Sequence, residues 1–153
     1  MDKTSRRVMV AIDGSNESDL AFKRAVENVT NDDELIIAHI IDTRSLQAFP
    51  DFEKTINEQK HLDQSLDLAQ NTLDEYESRA KDKGITNTTT VLKYGTPKIE
   101  ISESLPDEYD IDLLYLGATG LNAVERIFIG SVSEYVVRHA PCDVLITRRN
   151  EHQ

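Results

Sequence analysis

Cysteine is almost absent: Cys142 is the single one in 153 residues, so no disulfide can form within the chain. It stands beside Pro141 at an apolar stretch and reads as an inert buried thiol rather than a nucleophile. Tryptophan is missing and aromatics make up 6%, so the core must be aliphatic. No apolar run approaches the roughly 18 residues that a membrane span needs. Basic residues are in deficit, 17 against 28 acidic, for a net charge of −11. That balance excludes a general nucleic-acid binder, whose footprint would be basic, and an anionic membrane surface as partner. The catalytic signatures GxxxxGK[ST], GxGxxG, HExxH, GxSxG and paired CxxC are all missing. Met1–Arg7 is basic, but the apolar run behind it is short and ends at Asp13. It reads as a strand and not a signal peptide, so a cytoplasmic protein is expected.

What is present is an alternation. Val8–Ile12 is a short apolar strand, followed by Asp13-Gly14-Ser15 and a helix with Ala21, Phe22, Ala25, Val26 and Val29 on one face, capped by Ser15 or Ser18. Leu35–Ile41 is apolar throughout, as a strand covered on both faces must be. His39 within it reads as a hydrogen-bonded core histidine. Asp42 to about Phe52 loses periodicity and forms the one long connection, expected over the carboxyl edge of the sheet as either a functional or a plain surface loop. A long polar helix follows, with Leu62, Leu66, Ala69, Leu73, Tyr76 and Ala80 in steps of four and three and Gly84 at its C′ position. Ile85–Tyr94 reads as the third strand. Thr96 and Pro97 open a shorter helix that is expected to end near Pro106. Ile111–Leu116, the helix Val132–Ala140 and the strand Asp143–Thr147 complete a β-α-β-α-β-α-β-α-β order. This order predicts one α/β domain over residues 1–153: an open, doubly wound, five-stranded parallel sheet with helices on both faces. If the first strand is central and the chain winds outward in two halves, the strand order is 3-2-1-4-5.

The most informative segment lies between the fourth strand and the last helix. Gly117-x2-Gly120 is followed by nine residues and then Gly130-Ser131. Glycines let backbone N–H groups approach a ligand closely, and a helix N-terminus adds unpaired donors and partial positive charge. Strand, glycines and helix start together make a seat for phosphate. With the order 3-2-1-4-5, the switch point lies between strands one and four, so Asp13 and Gly117 would meet in one crevice. Asp13 has two readings there: an acceptor for a ribose hydroxyl or adenine amine, or a cap on the first helix. Ser131 and Ser133 read as hydroxyl donors to phosphate or as helix caps. Arg126, the one cation of the nine-residue spacer, either meets phosphate or is solvated. No general base or nucleophile stands out, so no catalytic residue is assigned.

These residues resemble the universal stress protein family over Val8–Thr147, most specifically in Gly117-x2-Gly120-x9-Gly130-Ser131, the spacing of its ATP-binding branch. Asp13 after the first strand and His39-Ile40-Ile41-Asp42 also match. Ala11 stands where some members carry proline. The resemblance implies the fold of the adenine nucleotide alpha hydrolases, with strand order 3-2-1-4-5. It places Ala11, Ile12 and Asp13 beside adenine and ribose and Ile40 against adenine. Gly117, Gly120, Gly130, Ser131, Val132 and Ser133 would hold ribose and phosphates. It further implies ATP, ADP or AMP as ligand, Mg²⁺ or Mn²⁺ held mostly by phosphates and water, and a role in stress response or signalling. Homodimers paired through the last strand are implied too, and the apolar edge Val144-Leu145-Ile146 favours such pairing on physical grounds. Two alternatives stay open: a slow ATPase or nucleotidyl-transfer enzyme on the same fold, and an interaction module without nucleotide.

Overall fold

In the computed structural model, residues 5–44, 51–119 and 129–149 are described, with backbone only for 51–58. Five parallel strands form one sheet: β1 (Arg7–Ile12), β2 (Glu34–Asp42), β3 (Thr88–Gly95), β4 (Leu113–Gly117) and β5 (Asp143–Thr147). Their order is β3-β2-β1-β4-β5, the order the winding argument predicts. Alternate residues of β1 feed two cores. Val8, Val10 and Ile12 pack with Phe22, Leu73 and Tyr76 under α1 (Asn16–Asn28) and α2 (Asp51–Asp82). Met9 and Ala11 pack on the opposite face with Ile101, Leu105 and Val136. The helices on that face are α3 (Pro97–Ile99), α4 (Leu105–Tyr109) and α5 (Ser131–His139). Val8, Met9 and Val10 are wholly buried, each contributing about 1.5–3 kcal/mol through the apolar surface withdrawn from water.

Two boundaries differ from expectation, each for a local reason. The third strand begins at Thr88, not Ile85, because Ile85 belongs to the stop of α2. Gly84 is left-handed at φ +86°, its N–H donates to Lys81, and the Ile85 N–H donates to Ala80. That is the Schellman arrangement, in which the residue after the glycine packs back onto the helix. The helix opened by Pro97 passes Pro106 and ends at Tyr109. A proline inside an α-helix would clash with the carbonyl four residues earlier. Here a π segment, Glu100–Ser104, widens the preceding turn and joins α3 to α4. Thr96 sits at the expected N-cap but its side chain makes no capping bond. Of the long connection, β2 takes up Asp42 and α2 begins at Asp51, while residues 45–50 lie outside the described residues.

Candidate functional site

β1 and β4 pair from Val8–Leu113 to Val10–Tyr115, and the ladder ends there. Beyond that point each strand follows its outer neighbour, β1 as far as Ile12–His39 and β4 as far as Gly117–Thr147. The two central strands therefore part over their last residues. This is the switch-point crevice, flanked by Ala11–Asp13 on one side and Leu116–Gly117 on the other.

Two helix N-termini reach this edge, and they differ. Ser15 caps α1 by accepting from the Ser18 N–H, and Asp13 accepts from the Ser15 N–H at 2.9 Å. α5 has Gly130 at its N-cap, a residue with no side chain to cap the helix. A helix start of that kind offers N–H groups to an anion, whereas in α1 the Ser18 N–H already has the Ser15 hydroxyl as acceptor. Gly130 is held by its own N–H, which donates to Ala118 at 2.8 Å. A Cβ there would meet only ordinary neighbours, the Ala118 carbonyl at 3.4 Å being nearest.

Each expected site residue among the described ones has a definite place. Asp13 is exposed at the end of β1. Ala11 and Ile40 lie on the α5 face, next to the crevice. Ile12 points the other way, into the α1/α2 core, so only its backbone borders the site. Ser131 is exposed on the first turn of α5, and Val132 packs half-buried against the core below. The buried Ser133 donates to the carbonyls of Gly117, at 3.1 Å, and Ala118, at 2.6 Å. It fastens the start of α5 to the end of β4. Gly117 has a packing reason of its own: a Cβ there would lie 2.8 Å from the Glu17 backbone in the first turn of α1. Gly120 and Arg126 lie outside the described residues.

Glu17 drew no notice as sequence, yet it ties three elements together. Its carbonyl accepts from the Thr147 hydroxyl at 3.3 Å, and its carboxylate pairs with Arg149 at 3.3 Å. The links span about 130 residues, and no local pattern announces them. His39 keeps its buried Nδ1 without a partner. Burial lowers its pKa, with Asp13 pulling the other way, so the ring is neutral at pH 7. Burial, then Asp143 and Asp112, push the Cys142 thiol up, which keeps it protonated and unreactive. Among the described residues, no group of three or more His, Cys, Asp or Glu could hold a metal, and no helix is long and apolar enough to cross a membrane.

The universal stress protein family model matches residues 4–148. The chain belongs to the universal stress protein family. A putative universal stress protein of Staphylococcus haemolyticus is 40% identical over 149 residues, covering 97% of this chain and 87% of that one. The solved structure of the universal stress protein UspA from Lactobacillus plantarum superposes with a TM-score of 0.81 at 28% identity, covering 94% of this chain and 97% of that one. A universal stress protein solved in complex with cAMP is 30% identical, with a TM-score of 0.63 and coverage of 94% and 96%. The parallel sheet and its strand order are those of the family.

Proposed function

We propose that this protein binds ATP, or the shorter adenine nucleotides ADP and AMP, in the crevice between β1 and β4. The observation that carries the reading is the contrast between the two helix starts: a serine caps α1 while a glycine stands at the N-cap of α5, beside strands that have parted. Phosphates would sit on the first turn of α5, at Gly130, Ser131 and Val132, with Ser133 holding that turn in place. By their spacing in the sequence Gly117 and Gly120 would flank ribose and phosphates, Arg126 of the spacer would meet phosphate, and Asp13 would accept from a ribose hydroxyl. The base would lie against Ala11 and Ile40. The solved relative bound to cAMP, itself an adenine nucleotide, supports this class of ligand.

Any Mg²⁺ or Mn²⁺ would be held by phosphates and water, the ligand set such ions prefer. The protein would act in the cytoplasm, in stress response or signalling, through contacts that change with nucleotide state. β5 is an edge of the sheet, with Leu145 40% exposed and Val137 of the adjoining α5 52% exposed. A two-fold pairing of β5 strands through Val144, Leu145 and Ile146 would close that edge in a homodimer.

The test is direct. Native protein should carry adenine nucleotide by mass spectrometry, and millimolar ATP should raise its melting temperature. Gly130→Val should abolish that shift while leaving the melting temperature without ligand nearly unchanged, since the new side chain enters the crevice and not the core. Wild-type protein that shows neither bound nucleotide nor a thermal shift would refute the reading.

A further inference from the structure

β3 pairs with β2 on one side and ends the sheet there. The Leu35 N–H donates to the Asn87 carbonyl at 2.9 Å. In a parallel ladder alternate residues turn their backbone groups to the same neighbour, so Thr89, Val91 and Lys93 face β2 as well. Thr88, Thr90, Leu92 and Tyr94 therefore turn their N–H and C=O groups outward, and no strand among the described residues meets them. Sheets normally guard such a side with proline, a bulge or an outward charge. β3 contains no proline, its register with β2 runs unbroken from Thr88 to Gly95, and each of its residues except Val91 keeps part of its surface exposed. Its one charge, Lys93, is held by Glu100 at 3.0 Å and by Glu108 at 3.4 Å.

The flank of this side is acidic. Arg79 of α2 reaches Asp19 of α1, so that flank of α2 faces inward across the sheet. The opposite flank carries Asp63, Asp67, Gln70 and Asp74, which follow one another at helical spacing and are all exposed. Leu92 packs in the core under α2, so Tyr94, two residues on, faces α2 too. Burial, then the Asp63 carboxylate, push the Tyr94 hydroxyl pKa up, which sets Asp63 beside the carboxyl end of β3. Joining two parallel strands, α2 runs antiparallel to them. Tyr94 back to Thr88 covers about 20 Å and Asp63 to Asp74 about 16 Å, so the acidic stripe accompanies most of the strand.

We propose that β3 takes up an extended basic segment of a partner protein as a sixth strand. Backbone pairing along Thr88–Tyr94 supplies affinity, and Lys or Arg at every second position of the segment meets Asp63, Asp67 and Asp74. A second copy of this chain is a poor occupant, because its net charge is −11 and its own β3 would bring a second acidic stripe. The proposal goes beyond the nucleotide reading and does not depend on it, since β2 stands between this strand and the crevice.

Fluorescence anisotropy of the full chain tests this with a labelled peptide as long as β3 that alternates lysine with threonine, set against the same peptide with glutamate for lysine. The lysine peptide should bind at least about tenfold more tightly. Replacing Asp67→Asn and Asp74→Asn together, on an exposed helix flank, should weaken it about fivefold. Thr90→Pro removes an outward N–H and spares the β2 ladder, so it should keep the fold and weaken the lysine peptide at least about tenfold. In residue-resolved amide exchange, the peptide should slow Thr88, Thr90, Leu92 and Tyr94 and leave Thr89 and Val91, already bonded, unchanged. Equal binding of the two peptides, or protection that misses those four amides, overturns the proposal. Undiminished binding by the double Asp variant overturns it whether or not Thr90→Pro folds. Protection of the four amides that grows with protein concentration in the absence of peptide overturns it too, and assigns this side of β3 to a second copy.

Discussion

The two edges of the sheet are built on opposite plans. At the amino edge nearly every polar group is engaged. Asp33, its side chain 2% exposed, accepts from the Arg6 and Thr30 N–H groups and from the Arg6 guanidinium. Glu34 pairs with Arg7 and accepts from Thr89, and the Arg7 and Asp112 backbones are joined through the Asp112 carboxylate and the Arg7 carbonyl. At the carboxyl edge the accounts stay open. Among the described residues, His39 Nδ1 and Tyr94 Oη are buried without hydrogen bonds, and the N-cap of α5 is a glycine with no side chain to offer. Of the buried side-chain atoms left unpaired among the described residues, Arg7 Nε is the one at the amino edge. A buried unpaired group costs about 1–3 kcal/mol. The contrast puts the denser polar pairing at the amino edge and is consistent with the proposed ligand site at the carboxyl edge.

The largest effect is expected where the two demands meet, at Gly117. A valine there would drive its Cβ into the Glu17 backbone, 2.8 Å away, and backbone cannot step aside as a side-chain tip can. Gly117→Val should lose about 3 kcal/mol of stability in urea denaturation, by overpacking, and lose nucleotide binding with it. Gly130→Val, with its nearest neighbour at 3.4 Å, should lose binding alone. Were both variants equally stable, the packing role given to Gly117 would be wrong.

That pair also shows where the sequence was readable and where it was not. The glycines could be found by spacing, and the strand order by alternation, because both are local patterns. The separate duties of Gly117 and Gly130 could not, because the first is set by Glu17, a hundred residues away in the chain. Asp13 is legible as a carboxylate at a strand end, whereas Ala11 and Ile40 are reached only through the family resemblance. Ile12 was placed correctly in its strand, but its burial under α1 depends on which face α1 covers. The ion pair of Glu100 with Lys93 is not legible in the sequence, since it depends on the π segment before Pro106 that carries Glu100.

At the amino edge, Asp33→Asn should cost about 2 kcal/mol at pH 7, because it weakens charge-assisted bonds to a buried group. Burial opposes ionisation of Asp33, but bonds from Arg6 and from the Thr30 and Arg6 N–H groups outweigh it and hold the pKa at about 2. A depressed carboxylate pKa contributes stability that is complete above the ordinary value near 4 and is lost as pH falls toward 2. The difference between variant and wild type should therefore shrink over that window. Part of the acid slope should survive in the variant, because Asp19 is also held at about 2: burial opposes, while Arg79, Tyr76 and Lys23 prevail. Nucleotide affinity should not change, which separates this edge from the other.

The smallest effect should come from His39, on the open edge. Burial lowers its pKa and Asp13 only partly offsets that, so the folded protein binds fewer protons than the unfolded chain just below the ordinary histidine value of 6.5. Stability therefore declines as pH falls from about 6.5 toward the folded pKa, and is flat above that window. His39→Gln should remove this decline and leave stability at pH 8 within about 1 kcal/mol of wild type. Chemical denaturation at pH 8, 6.5 and 5.5 measures it. A decline that persists undiminished in the variant would mean that the open edge titrates through some other group, and that the unpaired imidazole nitrogen is silent in this range.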